Sequence, residues 1–365
     1  FDPRISRNYA AFNNHIGILF ESPRQDMRTG ALTGLVSFKA VLQYAIENQD
    51  RLFQVVDGAH ANMERTVLSL ASTFDMSLLD DVAERMGPDN PSWVPLYDLV
   101  SQSPVGSQLQ DLGYHYIHVG SWYPQTARSD TADQVVRPVH LVDLQSVLLD
   151  QSAITGLASI IDVFSSLEHR GSNEYLAETT LTQIERLHEV IGQAGPKYVF
   201  AHLMVPHEPY VLLEDGSVAP EEASFSTQLD FANAELDRML ERLLDVPADE
   251  QPINVLQGDE GPYPDRYRPH LDDFDWEKAT AEELVTKFGV LNAMYLPGPE
   301  GIDPLPSGIT LVNTYPEIFE RYFDIEVERP DDRIIATGGS QRPYDRLDLT
   351  ERVEHAEQHL GVAGG

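Results

Sequence analysis

Five places in the chain gather side chains able to do chemistry, and four of them lie at the end of an apolar run. Glu21 follows HIGILF; Ser121, Trp122 and Tyr123 follow YHYIHVG; His202 and His207 lie within FAHLMVPHEPY; Asp259 and Glu260 follow INVLQG. The fifth is a hydroxyl-rich stretch, Thr66 to Ser72 (TVLSLAS), preceded by His60 and Asn62. Each has an ordinary structural reading when taken alone. A Glu at a strand end is a solvated residue or a cap, Asp-Glu-Gly-Pro is a turn, His207 beside prolines braces a loop, and Thr66 caps a helix. The set is more specific than its parts. Two adjacent acids after an apolar strand repel one another, and a bound cation relieves that repulsion. Such a cation lowers the pKa of a threonine hydroxyl and stabilises charge on a phosphoryl or sulfuryl oxygen. A nearby His can hydrogen-bond the substrate or protonate the leaving group.

The elements that must position these residues follow from the apolar pattern. Runs rich in Val, Ile and Phe predict strands at His15–Phe20, Tyr114–Val119, Lys197–Leu203, Ile253–Gln257 and Val290–Tyr295. Helical patterns fill Gly34–Glu47, Pro95–Gly113, Asn173–Ile191, Thr227–Leu244 and Thr280–Phe288, with Gly113 and Gly195 placed to stop a helix before a strand. This alternation predicts an α/β fold with a central, largely parallel sheet flanked by helices. Ligands of such sheets bind beyond the carboxyl ends of the strands, where the polar residues above are found. From Glu326 onward the chain turns polar and reads as a peripheral tail, residues 332–365 in particular. Its His355/His359 pair has the i, i+4 spacing of a helical metal site. The sequence HAEQH lacks the Glu beside the first His, so a solvated helix is expected.

Composition bounds the partners. With 365 residues, 42% of them hydrophobic, the chain can build a sizeable core and is neither a disordered polymer nor a disulfide-stapled miniprotein. Its 59 acidic against 25 basic residues leave a formal charge of −34, and the only lysines are Lys39, Lys197, Lys278 and Lys287. Such a surface repels phosphate backbones and anionic lipid, so no nucleic-acid partner is expected. The absence of cysteine excludes disulfides, thiolate metal sites and a Cys nucleophile. No apolar run approaches the ~18 residues of a membrane span, so no spanning segment is expected in this chain.

From about Phe53 to Asp331 the chain resembles bacterial sulfatase-like proteins of the alkaline phosphatase superfamily, near the lipoteichoic acid synthase and phosphoethanolamine transferase branch. The resemblance is carried by HANMERTVLSLASTFDM, GYHYIHVGSWYP, GPKYVFAHLMVPHEPYV, INVLQGDEGPYPDRY, FGVLNAMYLPG and ITLVNTYPEIFERYF, in family order. It implies an alkaline-phosphatase-like fold and a metal-dependent hydrolase or transferase acting on a phosphate or sulfate ester, small-molecule or glycan- or lipid-linked. It also implies an extracytoplasmic setting. Thr66 takes the role of metal-bound nucleophile, Asp259 that of a metal ligand, and His207 that of the His contacting the transferred group. Glu260 stands where well-studied members carry a His ligand. That swap favours Mn, Mg or Ca over Zn, or else marks a binding module of the same fold without catalytic power.

An anionic substrate approaching so acidic a surface needs local positive charge. The metal, Arg65, Arg128, His118 and His207 are the candidates, with Trp122 and His202 as further substrate contacts. Residues 1–52 resemble a different family, the last part of M14 zinc carboxypeptidases, in FDPRISRNYAAFNNHIGILFESPRQ. The segment is read either as a join of gene fragments near Leu52, a peptidase remnant, or as the first strand of the sulfatase-like domain. In the second case Glu21, 45 residues before Thr66, supplies a further metal ligand.

Overall fold

The apolar alternation is realised as eight strands and nine α-helices among the described residues of a computed structural model, which describes 54–56, 58–137, 173–247, 250–298 and 303–361. The strand expected at 15–20, the helix at 34–47, and Glu21 with the rest of residues 1–52 lie outside them. The strands are β1 (Gln54–Val55), β2 (His115–Val119), β3 (Gln134–Val136), β4 (Lys197–Ala201), β5 (Asn254–Gln257), β6 (Asn292–Tyr295), β7 (Ile335–Thr337) and β8 (Arg346–Asp348). The helices are α1 (Thr66–Asp75), α2 (Asp80–Met86), α3 (Val94–Gln102), α4 (Pro104–Asp111), α5 (Asn173–Ile191), α6 (Phe225–Leu244), α7 (Ala281–Phe288), α8 (Thr314–Phe323) and α9 (Thr350–Leu360). The helix expected over 95–113 is broken at Ser103, whose φ of 43° ends α3, and Pro104 opens α4. Proline supplies no N–H to a helix interior and holds the preceding residue out of the helical region, so one continuous helix is excluded there.

The chain divides into two compact units, Gly106–Leu243 and a unit that runs to Val105 and resumes at Leu244. The Gly106–Leu243 unit is a three-stranded parallel sheet, β3-β2-β4, flanked by helices. Ile117 and Val119 on β2 meet Leu176, Ala177, Ile184 and Leu187 of α5 and Phe231 and Met239 of α6. The helical residues are spaced three, seven or eight positions apart, which puts them on one face. Burying each of these side chains larger than alanine contributes about 1.5–3 kcal/mol. Gly113 (φ 91°) and Gly195 (φ 99°) make the left-handed turns that feed β2 and β4.

The other unit holds the antiparallel sheet β1-β6-β5 and the hairpin β7-β8. Strands β5 and β6, read from sequence as part of one parallel sheet, thus run in opposite directions. Val56 and residues 58–62 brace this unit through backbone bonds. Val56 N donates to Asn292 O (2.9 Å), Ala61 N to Phe288 O (2.9 Å), Leu311 N to His60 O (3.2 Å) and Ile335 N to Asn62 O (2.8 Å). The buried Asn62 side chain donates to Thr310 Oγ1 and Arg333 O and accepts from Val312 N, each at 2.8 Å. Asn62→Ala removes all three bonds and leaves buried partners unpaired. The expected loss is about 3 kcal/mol of unfolding free energy by urea titration, and a loss below about 1 kcal/mol would contradict this bracing role.

The polar C-terminal segment is not a peripheral tail. Ile334, Ala336, Leu349, Val353 and Ala356 are buried in one cluster with Tyr267, Trp276, Leu284 and Phe288, so α9 packs along α7. The buried His60 ring bonds Glu357 at 3.0 Å and ties α9 to the brace as well. A few apolar residues at helical spacing suffice to bury one face of α9, and its charged face masks that signal in composition. His355 and His359 are exposed, as a solvated helix face requires.

Candidate active site

The C-terminal end of α7 positions the chemistry. Thr280 starts the helix with a capping box, its hydroxyl accepting from Glu283 N while the Glu283 carboxylate accepts from Thr280 N. The last carbonyls of any helix lack partners within it. Here Phe288 O takes Ala61 N, five residues before Thr66, and Lys287 O takes Gly261 N at 2.9 Å, directly after Asp259 and Glu260. Gly261 permits this approach, since a Cβ there would fall on Thr286 O and 2.5 Å from Lys287 O. One helix end therefore brings two distant segments together.

Thr66 is the first residue of α1, whose N-terminus has no side-chain cap and no acidic residue in its first turn. Its hydroxyl donates to Glu260 Oε1 at 3.3 Å. Tyr263 Oη donates to the same oxygen at 3.2 Å, and Ser69 Oγ donates to Asp259 O at 2.5 Å. The other Glu260 oxygen accepts from Lys287 Nζ at 2.9 Å, and Lys287 also donates to Gly261 O at 2.9 Å. Lys287 is fully buried, with its ammonium 4.1 Å from the centre of the Tyr263 ring and 5.6 Å from that of Tyr267. Burial pushes the Glu260 carboxyl above the usual carboxylate range, against the pull of the Lys287 charge. The neighbouring Asp259 charge adds to the rise, and the hydrogen bonds from Lys287 and Tyr263 oppose it. Burial likewise raises the Tyr263 and Tyr267 hydroxyls, so both stay protonated. Asp259 Oδ2 is buried and makes no hydrogen bond.

No family model, curated protein or solved structure matches this chain. The site must be judged by its own geometry.

Among the four residues expected to hold a divalent ion, Thr66, Asp259 and Glu260 are neighbours, and Glu21 lies outside the described residues. The described three do not fit that ion as a set. Both Glu260 oxygens are engaged by protein donors, one of them an ammonium, and the Thr66 proton is directed at Glu260 rather than away from it. Asp259 Oδ2 is buried with no hydrogen-bond partner. No group of three or more His, Asp or Glu side chains arranged to hold a metal occurs among the described residues. Arg65, expected to meet an anion, donates to Leu271 O, lies within 4.0 Å of Asp272 and 3.8 Å of the buried Glu64, and stands over the Trp93 ring. Glu64 accepts from Thr337 N at 3.2 Å and from its hydroxyl at 2.5 Å.

The Gly106–Leu243 unit carries the remaining expected residues. His118 is buried on β2, with Nε2 on Thr126 O at 2.9 Å and Nδ1 facing Tyr116 Oη at 3.4 Å. Burial holds its pKa below the usual histidine value, against the Thr126 contact, and the nearby His202 adds to the fall. His202 Nδ1 meets Thr126 Oγ1 at 2.9 Å, which in turn meets Ser121 Oγ at 2.8 Å. Thr126, unnoticed in the sequence, thus links both imidazoles. Trp122 packs edge-on to His207, ring centres 6.3 Å apart, and the exposed His207 is held by its carbonyl, which accepts from Gln228 Nε2 at 2.9 Å. These contacts brace the His118 ring, whereas His207 alone of the three histidines is an exposed residue.

No helix of the described residues is long and apolar enough to cross a membrane.

Proposed function

We propose that the chain is a hydrolase or transferase of phosphate or sulfate esters, with a sulfatase-like, alkaline-phosphatase-type fold and Thr66 as its nucleophile. The observation that carries this reading is the Thr66 hydroxyl donating to Glu260 at an uncapped helix N-terminus. A carboxylate whose proton affinity is raised by burial is a competent acceptor for a hydroxyl proton. A helix N-terminus with no acidic residue in its first turn favours the anionic group under attack. In the first step Thr66 Oγ bonds to phosphorus or sulfur while its proton passes to Glu260. The bond to the leaving oxygen breaks, its electron pair stays on that oxygen, and a proton from solvent completes the departing alcohol. Water, or an acceptor alcohol, then attacks the Thr66 ester and releases its own proton to solvent, while Glu260 returns the proton to Thr66 Oγ. The resemblance also supports an extracytoplasmic setting.

A second reading, a binding module of the same fold without turnover, is favoured by the Lys287–Glu260 ion pair, which draws on the carboxylate that the reaction needs. Nitrophenyl phosphate, bis-nitrophenyl phosphate and nitrophenyl sulfate separate the two readings. Release of nitrophenol from any of them supports the enzyme. Ester binding without release from all three leaves the binding module.

A further inference from the structure

We propose that the cation of this site is Lys287 itself: the protein supplies a resident ammonium at the position the two adjacent acids create, and the site takes no divalent ion. The inference rests on the reading of Thr66 and Glu260 as the reactive centre. Asp259 and Glu260 stand side by side at the end of β5, and two adjacent carboxylates in a half-buried site demand a compensating charge. Lys287 meets that demand from within the fold. Its Nζ bonds Glu260 Oε2 and Gly261 O, each at 2.9 Å, so it bridges a carboxylate and the carbonyl of the same loop as a metal would. Its remaining face is covered by the Tyr263 ring at 4.1 Å, a cation–π contact in a dry setting. A divalent ion would have to displace this ammonium or sit against its charge. With both Glu260 oxygens engaged, the Asp259 carboxylate alone is far short of the roughly six to eight oxygens of a calcium site or the octahedron of magnesium.

The ammonium has a defined part in the chemistry and transfers no proton in it. It holds Glu260 in place with one oxygen toward Thr66 and balances the negative charge of the pair while the substrate anion is bound. Lys287 is therefore a positioning residue that acts through Glu260.

The test is a metal titration of the whole chain after EDTA treatment, in ~1 M KCl so that diffuse binding to the acidic surface is screened. Wild-type protein is expected to show no stoichiometric heat with MnCl2, MgCl2 or CaCl2 by isothermal calorimetry, and no shift of its melting temperature. Stoichiometric Mn2+ binding by the wild type that Asp259→Asn or Glu260→Gln abolishes would overturn the assignment, and this arm needs no change at Lys287. Lys287→Gln removes the ammonium from the Glu260 carboxylate beside Asp259 and is expected to bind Mn2+ at least ten-fold more tightly than the wild type. The folded variant binding no better than the wild type would also overturn it. Turnover is read separately in the same samples. EDTA-resistant turnover supports both proposals, whereas metal-indifferent protein without turnover keeps the cation assignment and loses the group-transfer reading.

Discussion

Thr66→Ala is expected to lower kcat on the responsive nitrophenyl ester by about 10³-fold or more, because removal of a covalent nucleophile leaves only binding and electrostatic stabilisation. The fold should barely notice. Thr66 is half-buried at the first position of α1, where it forms no side-chain cap, and its hydroxyl makes one 3.3 Å bond. Alanine is the better helix former, so the change in unfolding free energy should stay within about 1 kcal/mol. Thr66→Ser keeps the hydroxyl and should retain a large share of the rate. The pattern to look for is a collapse of kcat and kcat/KM together, with the urea midpoint unmoved. Wild-type turnover by a folded Thr66→Ala protein would remove Thr66 from the mechanism.

Lys287→Met carries the largest expected effect on stability. Removing one partner of a buried ion pair leaves the other charge uncompensated and typically costs about 3–5 kcal/mol. Here the loss also strips a donor from Gly261 O and from the face of Tyr263. The double variant Lys287→Met/Glu260→Gln should recover much of that loss, since an amide is far cheaper to bury than an unpaired carboxylate. The pH dependence has a definite sign. Burial raises the Glu260 carboxyl and Lys287 pulls it down, so the single variant must raise it further. A carboxyl raised in the folded state contributes fully below its unfolded value near about 4.3, and that contribution is lost as pH rises through the folded value. The gap between wild type and Lys287→Met should therefore widen from acid towards neutral pH. Denaturant midpoints measured across that window check it. A gap that narrows on going to neutral pH would mean that Glu260 is not the group left unpaired.

Much of the architecture was legible from local pattern alone. α5 has the bounds its apolar spacing dictates, and β2, β4, β5 and β6 lie within the runs that predict them. Gly113 and Gly195 turn the chain where expected. The acids after β5 and the hydroxyl at the start of α1 were readable as a pair, because polar residues at strand ends and helix starts keep their chemistry whatever packs around them. The break at Pro104 is local as well, since its ring holds Ser103 out of the helical region.

Other features depend on which surfaces meet, and periodicity is silent on that. Apolar alternation marks a strand as buried without stating its direction, so the antiparallel pairing of β5 with β6 was not available from it. The C-terminal helix looked solvated because most of its residues are, yet Leu349, Val353 and Ala356 are enough to seat it on α7. The acidic pair called for a cation, and the sequence held one in plain view, a lysine among only four in a chain of charge −34. In the last turn of an amphipathic helix, 27 positions from Glu260, Lys287 carries no local sign of its partner. Sequence alone thus determined where the acids, the hydroxyl and the elements carrying them lie, since those follow from local spacing. Only the tertiary structure decided what neutralises the acids, because a buried charge chooses its partner through space, once α7 has closed on the loop that follows β5.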